Sequence, residues 1–174
     1  MVDSILINSL NFNARNLAVR WKDKIRKATQ LKQYNALDDA RLIELNNSLY
    51  PLVARTLDRG LDRSIVGNFF VVLGKEQMRS NFSISETLYG INLAEQTVIE
   101  YLMTDFVHDN PVQMYTAMGI ITKVAEFFIL GCFYVTKGFL EETYTHMNKK
   151  DAVSEELLKK YFRDDFFFKN NEKA

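Results

Sequence analysis

Apolar residues recur along this chain at intervals of three and four, the spacing that gathers side chains onto one face of a helix. Leu10, Ala14, Leu17, Trp21, Ile25 and Ala28 form the first such stripe. They predict a helix over about Ser9 to Thr29, with Ser9 as its N-cap. A turn is expected over Lys32 to Leu37. Asp38 or Asp39 then caps a second helix with Leu42, Leu45, Leu49, Val53 and Leu57 inward. Pro51 removes a backbone donor inside that pattern, so a bend is expected near Leu49 to Pro51, and Gly60 ends the element. A third helix, Arg63 to Ser80, turns Ile65, Phe69, Val72 and Leu73 inward.

A short polar break, Asn81 to Ser85, separates the third helix from a fourth. Ser83 or Ser85 caps the fourth, and Ser83 with Glu86 has capping-box spacing. The helix continues to about Val107 through Leu88, Ile91, Glu95, Val98 and Leu102. His108 to Pro111 breaks it, and Pro111 suits the first turn of a long fifth helix reaching Met147. An amphipathic piece, Ser154 to Phe168, follows. The expected fold is therefore all-α, with five long helices in residues 1–150 and a C-terminal helix with an aromatic tail in 151–174.

The fifth helix repeats small or slender residues every seven positions: Ala117, Val124, Gly131, Gly138 and Thr145. Glycine costs a helix about 1 kcal/mol relative to alanine, so two on one stripe signal a close backbone approach. That approach is either packing inside one core or a seam between two copies.

Composition narrows the function. The 174 residues hold only two prolines and seven glycines, too few turn signals for a β-sandwich. Charges balance at 22 against 22, which opposes a nucleic-acid binder. The basic run Arg15 to Lys32 is read as the solvated face of the first helix. Cys132, the single cysteine, is expected to be a buried, inert thiol in a reducing cytoplasm. No secretory signal interrupts that reading. The longest uncharged run of the fifth helix, Phe127 to Thr136, falls short of the roughly 20 residues that span a bilayer, so a core helix is expected.

Candidate chemistry is sparse. His108 and His146 lie at helix ends, without a nucleophile elbow, HExxH, CxxC or glycine-rich phosphate loop. Adjacent carboxylates such as Glu141-Glu142 and Asp164-Asp165 diverge on a helix and read as solvated faces. A helix-turn-helix is excluded at the break, because Glu86, Glu95 and Glu100 would repel phosphate. No residue presents itself as catalytic, and no metal site is expected.

The segment LGKEQMRSNFSISETLYGINL (Leu73 to Leu93) lies between a helix carrying WKDKI (Trp21 to Ile25) and the long ITKVAEFFILGCFYVTKGFLEE helix. The set resembles the RsbR-type N-terminal sensor domain (RsbRD) of stressosome proteins and related kinase inputs. Leu73-Gly74, Arg79, Glu86, Leu88 and Ile91 carry the likeness, over about Leu10 to Met147. The resemblance implies a globin-like, non-haem, usually dimeric sensory module acting in signal transduction and stress response. In that order of helices the sole histidine near the proximal position is His108, while Tyr89 and Met78 read as core residues, so no cofactor is expected.

Members of that family commonly continue into a STAS or kinase domain, whereas here Tyr161, Phe162, Phe166, Phe167 and Phe168 crowd the C-terminal segment. These aromatics either fold back onto the domain or dock a protein partner. The leading expectation is a cytoplasmic, non-catalytic regulatory homodimer. The alternative is a carrier of a small apolar ligand or haem-type cofactor, with Phe69, Met78, Leu88 and Phe128 lining a pocket between the third, fourth and fifth helices.

Overall fold

The computed structural model describes residues 8–106 and 111–148, and among these every regular element is helical. A helical turn over residues 8–12 leads into α1 (Ala14–Lys27). The short α2 (Lys32–Asn35), α3 (Asp39–Asn47) and α4 (Leu49–Arg59) follow. Then come α5 (Arg63–Arg79), α6 (Ile84–Tyr101) with a π-helical extension Leu102–Phe106, and α7 (Pro111–Asn148). At 38 residues α7 is about 57 Å long, using 1.5 Å per residue.

Several boundaries differ from the sequence expectation, each for a local reason. Ser9 does not cap the first helix. It sits within the leading turn, where its hydroxyl bonds the Tyr101 hydroxyl, and Asn13 interrupts the helix by donating to the Ser9 carbonyl (2.9 Å) and to Tyr101 (3.0 Å). The expected bend near Pro51 is a break at Ser48. Pro51 falls in the first turn of α4, where a missing N–H costs nothing. The stretch read as a turn contains the helical turn α2, positioned by Arg26. That guanidinium donates to the carbonyls of Asn35 (3.0 Å) and Leu37 (2.6 Å) and to Asp39 (2.8 Å).

Asp38 caps α3 by accepting from the Arg41 N–H at 2.7 Å. The break after α5 is a Schellman closure. Asn81 takes the left-handed conformation (φ 61°), Phe82 N–H donates to the Gln77 carbonyl and Asn81 N–H to that of Met78. Ser83 then caps α6 by accepting from the Glu86 N–H at 3.1 Å. One oxygen of the Glu86 carboxylate reaches across to accept from the Gln33 N–H (3.0 Å), so one side chain ties α2 to the start of α6.

The packing centre is α5 against α7. Gly74 meets the main chain of Val135 and Phe139, Gly138 meets Val71, and the Lys75–Glu141 and Arg79–Glu142 ion pairs continue the contact. Each α7 partner lies a near-constant interval further along the chain, so the two helices run parallel. Gly131 receives the Phe70 ring, which joins Phe127 and Phe128 in an edge-to-face cluster. This arrangement corrects the inward face predicted for α5. Val66, Gly67, Phe70, Gly74 and Gln77 are buried, Ile65, Phe69 and Leu73 are only half-buried, and Val72 is exposed. The glycine face, not the bulkiest face, is the one turned to α7.

On the other side of α6, Trp21 donates its indole N–H to the Gly90 carbonyl (2.8 Å) and meets Tyr34 edge-on, which in turn meets Phe82. The basic run of α1 is not one solvated face. Lys24 pairs with Glu100, Arg26 with Asp39, and Arg20 lies over the Tyr101 ring. Glu141 and Glu142, expected to face solvent, instead bind Lys75 and Arg79 along the α5 contact.

Candidate functional site

A groove of about 730 Å³ lies between α3–α4 and α5. Leu45, Pro51, Leu52, Ile65, Phe69, Val72 and Leu73 give it apolar walls, and Arg41, Glu44, Arg55 and Glu76 edge it. Arg41 and Glu44 pair with each other at 3.1 Å, while Arg55 makes no ion pair with another described residue. Ser48, between α3 and α4, is itself one of the lining residues. Its volume lies in the range usual for small-ligand sites.

Behind the groove lies a second, inner cavity of about 30 Å³, room for one small polar group. Leu45, Phe69 and Leu73 line both spaces and form the wall between them. Trp21, Tyr34, Asn46, Gln77 and Gly90 lie on the inner side. Gln77 is 4% exposed, and its side-chain oxygen has no hydrogen-bond partner. Its neighbours are engaged elsewhere: Asn46 donates to the Tyr50 hydroxyl (2.7 Å), which donates to the Leu17 carbonyl (3.3 Å). Burial raises both the Tyr34 and Tyr50 phenols above their ordinary range, so both stay neutral.

Of the residues expected to line a pocket, Phe69 borders both spaces. Phe128 is fully buried against Phe127, Leu88 is packed half-buried against the core, and Met78 is half-buried; these three line neither space. The cavities lie across α5 from where the pocket was expected, because the aromatic cluster and the glycine contact fill the α5–α7 side. Gln77 was missed as a site residue. Its signal was its place after Phe70 and Gly74 at spacings of four and three, which puts an amide on a buried face.

Ala117, Val124, Gly131 and Gly138 are all buried within the chain, the two glycines against α5. The opposite side of α7 is apolar and open. Tyr115 is 83%, Met118 61%, Ile129 69% and Phe133 50% exposed. By length and composition Ala117–Met147 is apolar enough to cross a membrane, and 33% of its most apolar window is buried. The ten-residue uncharged run thus understates its apolar length, since a window tolerating two charges is long enough.

No group of three or more histidine, cysteine, aspartate or glutamate side chains among the described residues is placed to hold a metal. His146 is exposed near the end of α7, and Tyr89 lies at the surface. Cys132 is half-buried rather than buried, with Asn92 as its neighbour, and burial followed by Glu95 raises its thiol above the usual range. His108 and the aromatics Tyr161, Phe162, Phe166, Phe167 and Phe168 lie outside the described residues. No protein-family model matches the chain, and no curated protein or solved structure matches it significantly.

Proposed function

We propose that this chain is a cytoplasmic, non-catalytic sensory and regulatory domain of globin-like arrangement that acts through protein contacts, first with a second copy of itself across α7. The observation that carries the reading is the exposed stripe Tyr115, Met118, Ile129 and Phe133 on a helix whose opposite side is packed against α5. Lys123 and Glu126 stand exposed on the same helix and form no ion pair with another described residue. A two-fold copy laid antiparallel with its crossing near Val124 brings each Lys123 to the other chain's Glu126, so the patch complements itself. The likeness of Leu73 to Leu93 to the RsbR-type sensor domain supports the same reading. Its residues do structural work here: Gly74 at the α7 contact, Arg79 on Glu142, Glu86 on Gln33.

Sedimentation of the full chain at high micromolar concentration tests it. A dimer is expected, with Ile129→Glu giving a folded monomer. Lys123→Glu is expected to weaken the dimer and the Lys123→Glu/Glu126→Lys pair to restore it. A wild-type chain that stays monomeric sinks the reading.

A further inference from the structure

We propose that the inner cavity and the groove form one binding site for a neutral small molecule with an apolar body and a terminal hydroxyl, a medium-chain primary alcohol being the simplest. The hydroxyl would sit behind Leu45, Phe69 and Leu73 and donate to the side-chain oxygen of Gln77. The apolar chain would lie along the groove.

The chemistry of the head group follows from what the cavity leaves unsatisfied. Gln77 is 4% exposed, its side-chain oxygen has no partner, and it lines a space large enough for one small polar group. An amide oxygen only accepts, so the ligand must donate; an ether or ketone offers nothing. No charged side chain lines the inner cavity, so neither a carboxylate nor an ammonium would find a counter-charge there. A neutral hydroxyl remains. The indole of Trp21 and the amide of Asn46 are committed to Gly90 and Tyr50, which leaves Gln77 as the acceptor in need.

The chemistry of the body follows from the outer space. About 730 Å³ walled by Pro51, Leu52, Ile65 and Val72 suits an alkyl chain. The partition between the two spaces is made of side chains whose rotamers can change, and Phe69 and Leu73 are only half-buried. The groove borders the face of α5 turned away from Gly74, so the site stands independently of the proposed α7 contact. Loss of the dimer would leave the binding result unchanged, and the reverse.

Titration calorimetry and thermal melting of the full chain with 1-hexanol and with hexyl methyl ether test the site. Saturable binding of one hexanol per chain is expected, with a rise in melting temperature. The ether, which cannot donate, is expected to bind roughly tenfold more weakly, as befits one buried hydrogen bond. Gln77→Leu should fold, because it replaces an amide whose oxygen is unsatisfied by an apolar group of similar size, and should weaken hexanol by a similar factor. Phe69→Ala should keep or improve binding by opening the partition. Absence of saturable hexanol binding in the millimolar range, showing a cavity that holds water only, would overturn the proposal. So would equal binding of alcohol and ether in the wild-type chain, a comparison that needs no variant to fold.

Discussion

Gly74 on α5 and Gly138 on α7 each lie against the other helix's main chain. A Cβ at Gly74 would overlap the Val135 carbonyl oxygen, and one at Gly138 the carbonyl of Val71. Backbone cannot swing aside as a side chain can, so the helices would have to separate along their contact. Gly74→Ala and Gly138→Ala are each expected to lower stability by about 3 kcal/mol, the upper end of overpacking costs. Gly119 on the same α7 has nothing within 4 Å of its added Cβ. Gly119→Ala should therefore raise stability by roughly 1 kcal/mol through helix propensity alone. Urea unfolding of the three variants checks the opposite signs. Destabilisation by all three to the same extent would mean that the α5–α7 contact is not the cause.

The corner between α5 and α6 makes a sharper local prediction. Asn81 holds φ at 61°, a conformation glycine adopts freely and a β-branched residue resists. Asn81→Gly is expected to be neutral or slightly stabilising, and Asn81→Val to cost about 1–2 kcal/mol, comparable to other strained backbone sites. Ser83→Ala removes the acceptor for the Glu86 N–H and should cost about 1 kcal/mol. Trp21, the single tryptophan, is 3% exposed and reports each unfolding transition by its fluorescence.

Arg26 offers a test of the α1–α3 connection. Its planar fork reaches two carbonyls and the Asp39 carboxylate together, a geometry lysine cannot reproduce. The Arg26 contact also holds the Asp39 carboxyl below its ordinary value. Arg26→Lys is expected to lower the denaturant midpoint and to speed amide exchange in α2 and at the start of α3, with α5 and α7 unaffected. Uniform acceleration across the chain would point instead to a global loss of stability.

The helical class, the capped corner at Ser83 and the apolar stripe of the first helix were legible because period and capping chemistry are written locally. The Leu17–Trp21–Ile25 stripe is buried as spaced, and Pro111 stands in the first described turn of α7, a position that suits proline. The inward face of α5 was not legible. Periodicity ranks faces by apolar bulk, whereas Gly67 and Gly74 define this face by what approaches them. The site was least legible of all. Its groove is lined by residues of three helices, a tertiary juxtaposition, and its inner end depends on a buried amide oxygen left without a hydrogen bond, which no spacing encodes. Glu141 and Glu142 misled for a related reason: adjacent positions diverge on a helix, yet the long Lys75 and Arg79 side chains reach both.

Tyr34 and Tyr50 predict how stability depends on alkaline pH. Burial raises both phenols above their ordinary value of 10. For Tyr34 the Glu86 charge adds to the rise, while hydrogen bonds to Asn46 and Thr97 partly oppose it for Tyr50. Below pH 10 both phenols are protonated whether the chain is folded or not, and their contribution is fully present. Above pH 10 the unfolded chain releases these protons and the folded chain keeps them, so stability falls as pH rises toward the folded values. The slope is roughly 1.4 kcal/mol per pH unit for each tyrosine. Tyr34→Phe removes one of the two titrating groups without deleting the ring that meets Trp21 and Phe82, and should take away about half of that slope. Tyr50→Phe should flatten the same limb, at the cost of the hydrogen bond that Asn46 donates to the phenol. Urea unfolding of wild-type and Tyr34→Phe chains between pH 9 and 11 measures it, and parallel pH profiles for the two would refute the assignment to Tyr34.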